Sequence, residues 1–234
     1  MSAYVLIHAK TISEAWEEAV LKTWKNGRTI PHYGKEIVCL VIIDEPFKEP
    51  RVHRGDLLVA LKGTLEKYYA EVLEGTLDWA IEKGLEPYTY HQRLFKYLHP
   101  QTQNIFINQI EIMTSYFIQE LQLQDFTNRH QAITWMPHQD PHINSPPCLQ
   151  RVWAKPIQNK LELHTTWRSR DCFKAMHMNM LAMTMLQKKI AEKIQLQVGR
   201  YIDFSDSLHI YKNDWKEVEH FMKVVERRRI STGS

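Results

Sequence analysis

Cys148 follows two prolines in Ser145-Pro146-Pro147-Cys148 and stands just ahead of an alternating strand pattern. A cysteine attacks as its thiolate, so it needs a nearby cation to lower its pKa and an exposed position from which to act. Arg168, within Trp167-Arg168-Ser169-Arg170-Asp171, is the candidate cation. The spacing allows the contact, because the strand after Cys148 and the strand ending at Arg168 can pair as a hairpin. Further along stand Asn179, whose amide offers both a donor and an acceptor, and the pair His209 and Tyr211.

The remaining reactive side chains read as structural. Cys39 lies in an apolar strand and is expected in the core, and Cys172 is expected to pack as well. Three cysteines without paired spacing suggest neither a disulfide framework nor a zinc site. His138 and His142 flank Asp140 with no third ligand in view, so no metal is expected there. Met176, Met180, Met183 and Met185 read as core filler, and Arg227 to Arg229 as a solvated helix end.

These residues need a scaffold, and the composition supplies one. The chain has 234 residues, 44% of them hydrophobic, which fits a globular domain spanning 1–234. A formal net charge of +3 is too weak to argue for nucleic acid and suits an anionic small molecule. The N-terminus lacks a signal-peptide pattern and no apolar run reaches the ~18 residues of a membrane span. A soluble, cytoplasmic protein without a membrane partner is the expectation.

The pattern predicts a strand over 4–8, a helix over 13–25 with Trp16, Val20 and Trp24 on one face, a polar loop over 28–35 and a buried strand over 36–44. Helices are expected over 56–74, 77–83 and 104–122, a Tyr-, His- and Pro-rich loop over 84–100, and a strand over 129–135. Strands over 149–154 and 160–168 come next, joined by 156–159. In the second, Leu161, Leu163, Thr165 and Trp167 share one face; Glu162, His164, Thr166 and Arg168 share the other, which is expected to form a wet pocket wall. A Met-rich helix over 176–194, strands over 195–206 and 208–211 and a helix over 213–229 complete the chain. Helices and strands mix without a regular βαβ repeat, so the fold class is α+β.

Pro147-Cys148, Arg168-Ser169-x-Asp171, Asn179 and His209-x-Tyr211 together resemble the thymidylate synthase family in order and spacing. The likeness is good over about 126–221, with a fainter echo at Tyr90-His91-Gln92 and Asn108-Gln109-Ile110. It implies a single α+β domain with a mixed β-sheet and flanking helices. It also implies a homodimeric methyltransferase in which Cys148 adds to C6 of the uracil ring of dUMP. The one-carbon donor would be a 5,10-methylene-tetrahydropterin, either methylene-tetrahydrofolate or methylene-tetrahydromethanopterin. No metal and no nucleic acid partner are implied.

The same resemblance distributes roles. Arg168 would activate Cys148 and bind phosphate, with Ser169 donating to the same phosphate. Asn179 would read the pyrimidine edge, Asp171 would face pyrimidine and pterin, and His209 and Tyr211 would hold the deoxyribose hydroxyl. Arg129 matches the first of two arginines that complete the phosphate site across the dimer interface, the second position being His130 here, and Arg28-Thr29 resembles an N-terminal phosphate loop without the glycine expected after it.

Departures are also legible. Leu149 stands where the family usually has His, Trp167 where it has Gln, and Ala175-Met176-His177-Met178-Asn179 where it has Gly-Leu-Pro-Phe-Asn. The family's catalytic glutamate has no match at its interval, although Glu71 and Glu74 precede Gly75 on a suitable helix. No match is apparent for the C-terminal segment that closes over the folate. Two alternatives follow: a pyrimidine nucleotide hydroxymethylase of the same fold, or a non-catalytic relative that binds nucleotide or RNA.

Overall fold

The computed structural model describes residues 4–56, 61–99, 102, 105–123 and 128–232. In chain order the elements are β1 (Tyr4–Ala9), α1 (Ile12–Asn26), β2 (Arg28–Ile30), β3 (Gly34–Ile43), α2 (Thr64–Glu74), α3 (Trp79–Glu82), α4 (Tyr90–Phe95), β4 (Tyr97–Leu98), β5 (Phe106–Ile107), α5 (Gln109–Leu123), β6 (Gln131–Ile133), β7 (Leu149–Ile157), β8 (Lys160–Trp167), β9 (Arg170–Asp171), α6 (Met176–Lys193), β10 (Gln197–Tyr211) and α7 (Trp215–Thr232). Eight strands form one mixed sheet in the order β1-β3-β10-β8-β7-β6, with β2 paired to β3 and β9 to β10. β4 and β5 form a separate pair.

Alternation along the strands decides which face is dry. The cross-strand row Ile7, Val41, Asp203, Thr165, Val152 and Ala132 is buried throughout. Helices α1, α5 and α6 pack on that face with Trp16, Phe117 and Met180 among their fully buried side chains, and a single hydrophobic cluster joins them to the sheet. The neighbouring row, Leu6, Leu40, Phe204, Thr166, Arg151 and Ile133, faces the other way and no residue in it is fully buried. The result is a two-layer α+β domain with helices on one side of a twisted sheet.

Local chemistry sets the element ends. Thr11 caps α1 by accepting from the Glu14 N–H at 3.2 Å while Glu14 reaches back to the Thr11 N–H, a capping box. β7 and β8 turn through Gln158 and Asn159, whose positive φ values of 49° and 62° are those of a two-residue hairpin turn. Gly75 ends α2 at φ +72°; a Cβ there would come within 2.3 Å of the His91 ring, so only glycine lets α2 and α4 approach so closely.

Several sequence expectations shift. The loop over 28–35 is instead strand β2 and a turn, because β3 presents an open edge for it to pair with. α2 begins only at Thr64, and 57–60 lie outside the described residues. The segment 77–83 holds one helical turn, α4 interrupts the predicted loop over 84–100, and α5 starts at Gln109. The two strands expected over 195–211 are one strand with a bulge between Ser205 and Leu208, so the polar stretch breaks the alternation without ending the pairing. Among the described residues no helix is long and apolar enough to cross a membrane.

Candidate active site

The open end of the β7–β8 hairpin brings the candidate nucleophile and its candidate cation together. The Arg168 N–H donates to the Cys148 carbonyl at 2.8 Å, and the Arg168 Nη2 lies 3.2 Å from the Pro146 carbonyl and 4.0 Å from Cys148 Sγ. Cys148 is half-buried, whereas Cys39 and Cys172 are sealed in the core. Burial raises the Cys148 thiol above its ordinary pKa, and the charges of Arg168 and Arg170 offset only part of that rise. Burial, with a smaller push from Asp203, raises Cys39 to about 12. Of the three thiols, Cys148 combines cations with access.

Arg170 points inward from β9. Its Nη1 donates to Asp203 at 2.8 Å and its Nη2 to Ser205 at 3.0 Å, with the guanidinium 4.7 Å above the Trp167 ring. Trp167 and Leu149, the two departures beside the nucleophile, are buried packing residues. The Leu149 N–H donates to the Tyr90 hydroxyl at 3.3 Å. The loop before Cys148 is fixed from behind: Arg93 donates to Asp140 at 2.6 Å, and Asp140 accepts from the Met136 N–H at 2.7 Å. Asp140 is therefore engaged in a buried ion pair, and no cluster of metal-ligating side chains occurs among the described residues.

A second group assembles where β9 meets β10. Ser169 Oγ lies 3.4 Å from His209 Nδ1, and Asp171 is the cross-strand neighbour of His209. Burial holds the His209 imidazole below its usual pKa, so it is neutral at pH 7, and its Nε2 is buried without a partner. Tyr33 joins from the turn after β2, its ring 5.2 Å from His209 and 5.3 Å from Tyr211. Burial, then Tyr211, pushes the Tyr33 phenol up to about 12. Asp171 accepts from the Phe173 and Lys174 N–H groups, both at 2.9 Å, and burial still raises its pKa.

Asn179 sits in the first turn of α6 and is buried. Its Nδ2 donates to the Tyr68 hydroxyl at 2.7 Å. Tyr68 borders a cleft of about 200 Å³ with Glu71, Tyr88, Tyr90 and Ser145, three residues before the nucleophile. Burial lifts Tyr88 to about 12 and Tyr90 well above its ordinary value, and the Cys148 charge adds to both. Of the two glutamates ahead of Gly75, Glu71 lines this cleft and Glu74 is exposed.

The phosphate-binding candidates divide. Arg168 and Ser169 are at the site. Arg28 is exposed on β2, its Nε donating to Glu36 at 3.1 Å, and Glu36 is the cross-strand neighbour of His209. Arg129 is exposed just before β6. His130 is buried: its ring stacks 3.6 Å from Phe117 and bonds Glu120. On the β8 face expected to be wet, Glu162 is buried beneath Arg200 at 2.7 Å, while His164, Thr166 and Arg168 are partly exposed.

Sequence reading missed Tyr33, Tyr68, Tyr88 and Arg170. For Tyr68 a signal existed: Tyr68, Glu71 and Val72 at i, i+3 and i+4 share one face of α2. A separate cavity of about 370 Å³ is lined by Trp16, Phe173, Lys174, Lys216 and His220, next to the backbone N–H groups that hold Asp171.

Comparison with known proteins supplies the context. The thymidylate synthase family model matches residues 58–231. A provisionally named thymidylate synthase of Methanosarcina mazei is 30% identical over 223 residues, covering 93% of this chain and 94% of that protein. Provisionally named counterparts in Methanosarcina barkeri and Methanocaldococcus jannaschii are each 29% identical, covering 94% and 88% of this chain and 95% and 90% of their own lengths. The family acts on dUMP with a methylene-tetrahydrofolate-type cosubstrate. The match spans most of the chain and includes Cys148, Arg168, Asn179 and His209, so the protein belongs to the thymidylate synthase family.

Proposed function

We propose that this protein methylates dUMP to dTMP with a 5,10-methylene-tetrahydropterin as one-carbon donor and reductant. The observation that carries the reading is the Arg168 guanidinium 4.0 Å from Cys148 Sγ, at the edge of a tyrosine-lined cleft. Cys148 adds as thiolate to C6 of the uracil ring, which makes C5 nucleophilic toward the methylene carbon. Loss of the C5 proton to a base expels the carrier and leaves an exocyclic methylene, and hydride transfer from the carrier converts it to methyl as the thiolate leaves C6. Arg168 and Ser169 hold the phosphate, Asn179 the base, and His209 and Tyr211 the deoxyribose hydroxyl. Asp171 lies between the nucleotide and the aromatic cavity at Trp16 and Phe173, which is the candidate pterin pocket. Its size falls in the range of small-molecule sites.

The working unit is a homodimer. One sheet face is uncovered and carries Tyr4, Leu6, Val38, Ile133 and Phe204. The apolar patch of Tyr4, Leu6, Val38 and Phe204 on this face supports an interaction surface, and a second copy offers the self-complementary partner. Arg129 stands beside β6 at the margin of that face, where it can complete the partner subunit's phosphate site.

The test is to incubate the protein with dUMP and, in separate reactions, methylene-tetrahydrofolate or methylene-tetrahydromethanopterin, and to identify the product. dTMP supports the reading and names the carrier. Hydroxymethyl-dUMP assigns the hydroxymethylase instead, and absence of any product with both carriers sinks the catalytic reading.

A further inference from the structure

Asn179 has a choice that its own chemistry does not settle. Uracil presents N3–H as donor and O4 as acceptor, whereas cytosine presents N3 as acceptor and N4–H₂ as donor. An amide matches uracil in one orientation and cytosine after a half-turn about its last bond. Discrimination therefore requires something that prevents the flip.

We propose that Tyr68 is a positioning residue that selects the base by fixing which way the Asn179 amide faces; this rests on the reading of Asn179 given above. The Asn179 Nδ2 donates to the Tyr68 hydroxyl at 2.7 Å, and this is its side chain's one hydrogen bond among the described residues. Oδ1 and the second N–H are left for a ligand. Oδ1 accepts from N3–H and Nδ2 donates to O4, which is the uracil pattern.

A phenol can donate as well as accept, so it locks the amide only if its own proton is committed elsewhere. The cleft supplies acceptors. Glu71 lies one turn further along α2, and both it and Glu86 line the same cleft. The Glu71 charge adds to burial in holding the Tyr68 phenol well above its ordinary pKa, so the hydroxyl stays protonated and neutral. With its proton turned toward a carboxylate, the oxygen faces Asn179 as an acceptor. The flipped amide would then set Oδ1 against a lone pair, and the cytosine orientation is disfavoured.

The experiment compares dissociation constants for dUMP and dCMP, measured by calorimetry on the parent, Tyr68→Phe and Glu71→Ala proteins. Tyr68→Phe keeps the ring and removes the hydroxyl; the dUMP preference should narrow at least about tenfold, the scale of one unpaired polar group. Glu71→Ala leaves the phenol and frees its proton to turn toward Asn179, so the preference should narrow in the same direction. On an Asn179→Ala background, Tyr68→Phe should change the ratio no further, because its effect passes through the amide. An unchanged ratio in either variant with a native melting profile overturns the proposal, as does an equal effect with and without Asn179. A parent that prefers neither nucleotide removes the base reading and this proposal with it. A parent that prefers dUMP but makes no dTMP refutes only the chemistry, since binding still reads the base.

Discussion

Replacing Arg168 by Gln tests the nucleophile directly. The cation lies 4.0 Å from Cys148 Sγ, and both groups are half-buried. At that distance the attraction between a thiolate and a guanidinium is about 1 kcal/mol in water and about 4 kcal/mol at an effective dielectric constant of 20. Removing it should raise the thiol pKa by roughly 0.8–3 units. The sign is fixed: burial already disfavours the thiolate, and the variant loses the larger of the two charges that oppose it. A more basic thiolate is a better nucleophile, which recovers nearly half of the loss on a logarithmic scale, so alkylation at pH 7 should slow by about threefold to fortyfold. Iodoacetamide labelling followed across pH, without nucleotide, reads the midpoint apart from any phosphate-binding role. Cys39 and Cys172 are buried and contribute little signal. A midpoint that stays within ~0.3 units of the parent would show that Arg168 does not activate Cys148.

Three further outcomes are expected. Cys148→Ser should lose turnover while keeping dUMP affinity within about threefold, because the binding groups are elsewhere; turnover within about tenfold of the parent would remove Cys148 as nucleophile. Cys148→Ser and Arg129→Ala proteins, each inactive alone, should regain activity when mixed, since one hybrid site has both groups intact; no recovery after confirmed subunit exchange would rule out Arg129 acting across the interface. Glu17 is opposed by burial but held down to about 2 by hydrogen bonds from His53, Arg229 and Arg228. A depressed carboxylate stabilises the fold above its ordinary pKa of 4.5 and ceases to do so as pH falls through about 2. Glu17→Gln should therefore cost roughly 2 kcal/mol, about 4–8 °C in melting temperature, at pH 7. The deficit should shrink below pH 4.5, and one that is equal at pH 7 and pH 3 would contradict the assignment.

The legible parts of the site are those set by local period and by adjacent elements. Cys148 and Arg168 meet because two alternating strands joined by a tight turn must pair, and pairing places their ends opposite each other. The same period shows around β6, where His130, Ala132 and Thr134 take the buried face and Arg129, Gln131 and Ile133 face outward. For Tyr68 the helix face was legible but the partner was not: it meets Asn179 across 111 positions, and only the packing of α2 on α6 makes them neighbours. Tyr33 similarly arrives through a strand that reads as loop until β3 is seen to offer it an edge.

Charge placement bears on the proposed homodimer. On the proposed reading Arg168 faces two anions, the Cys148 thiolate and the nucleotide phosphate. A guanidinium that binds phosphate is partly neutralised, and its pull on the thiol weakens in proportion. Arg170 offers limited relief, because Asp203 at 2.8 Å cancels most of its field. Arg28 is tied to Glu36 by its Nε at 3.1 Å and would have to break that contact to reach an anion. A cation brought from outside the subunit lets phosphate bind without drawing Arg168 away from the thiol. Arg129, exposed at the margin of the uncovered sheet face, is placed to be that cation for a partner. Pairing of two sheets would then bury apolar surface and complete two phosphate sites in one step, which ties thiol activation to assembly.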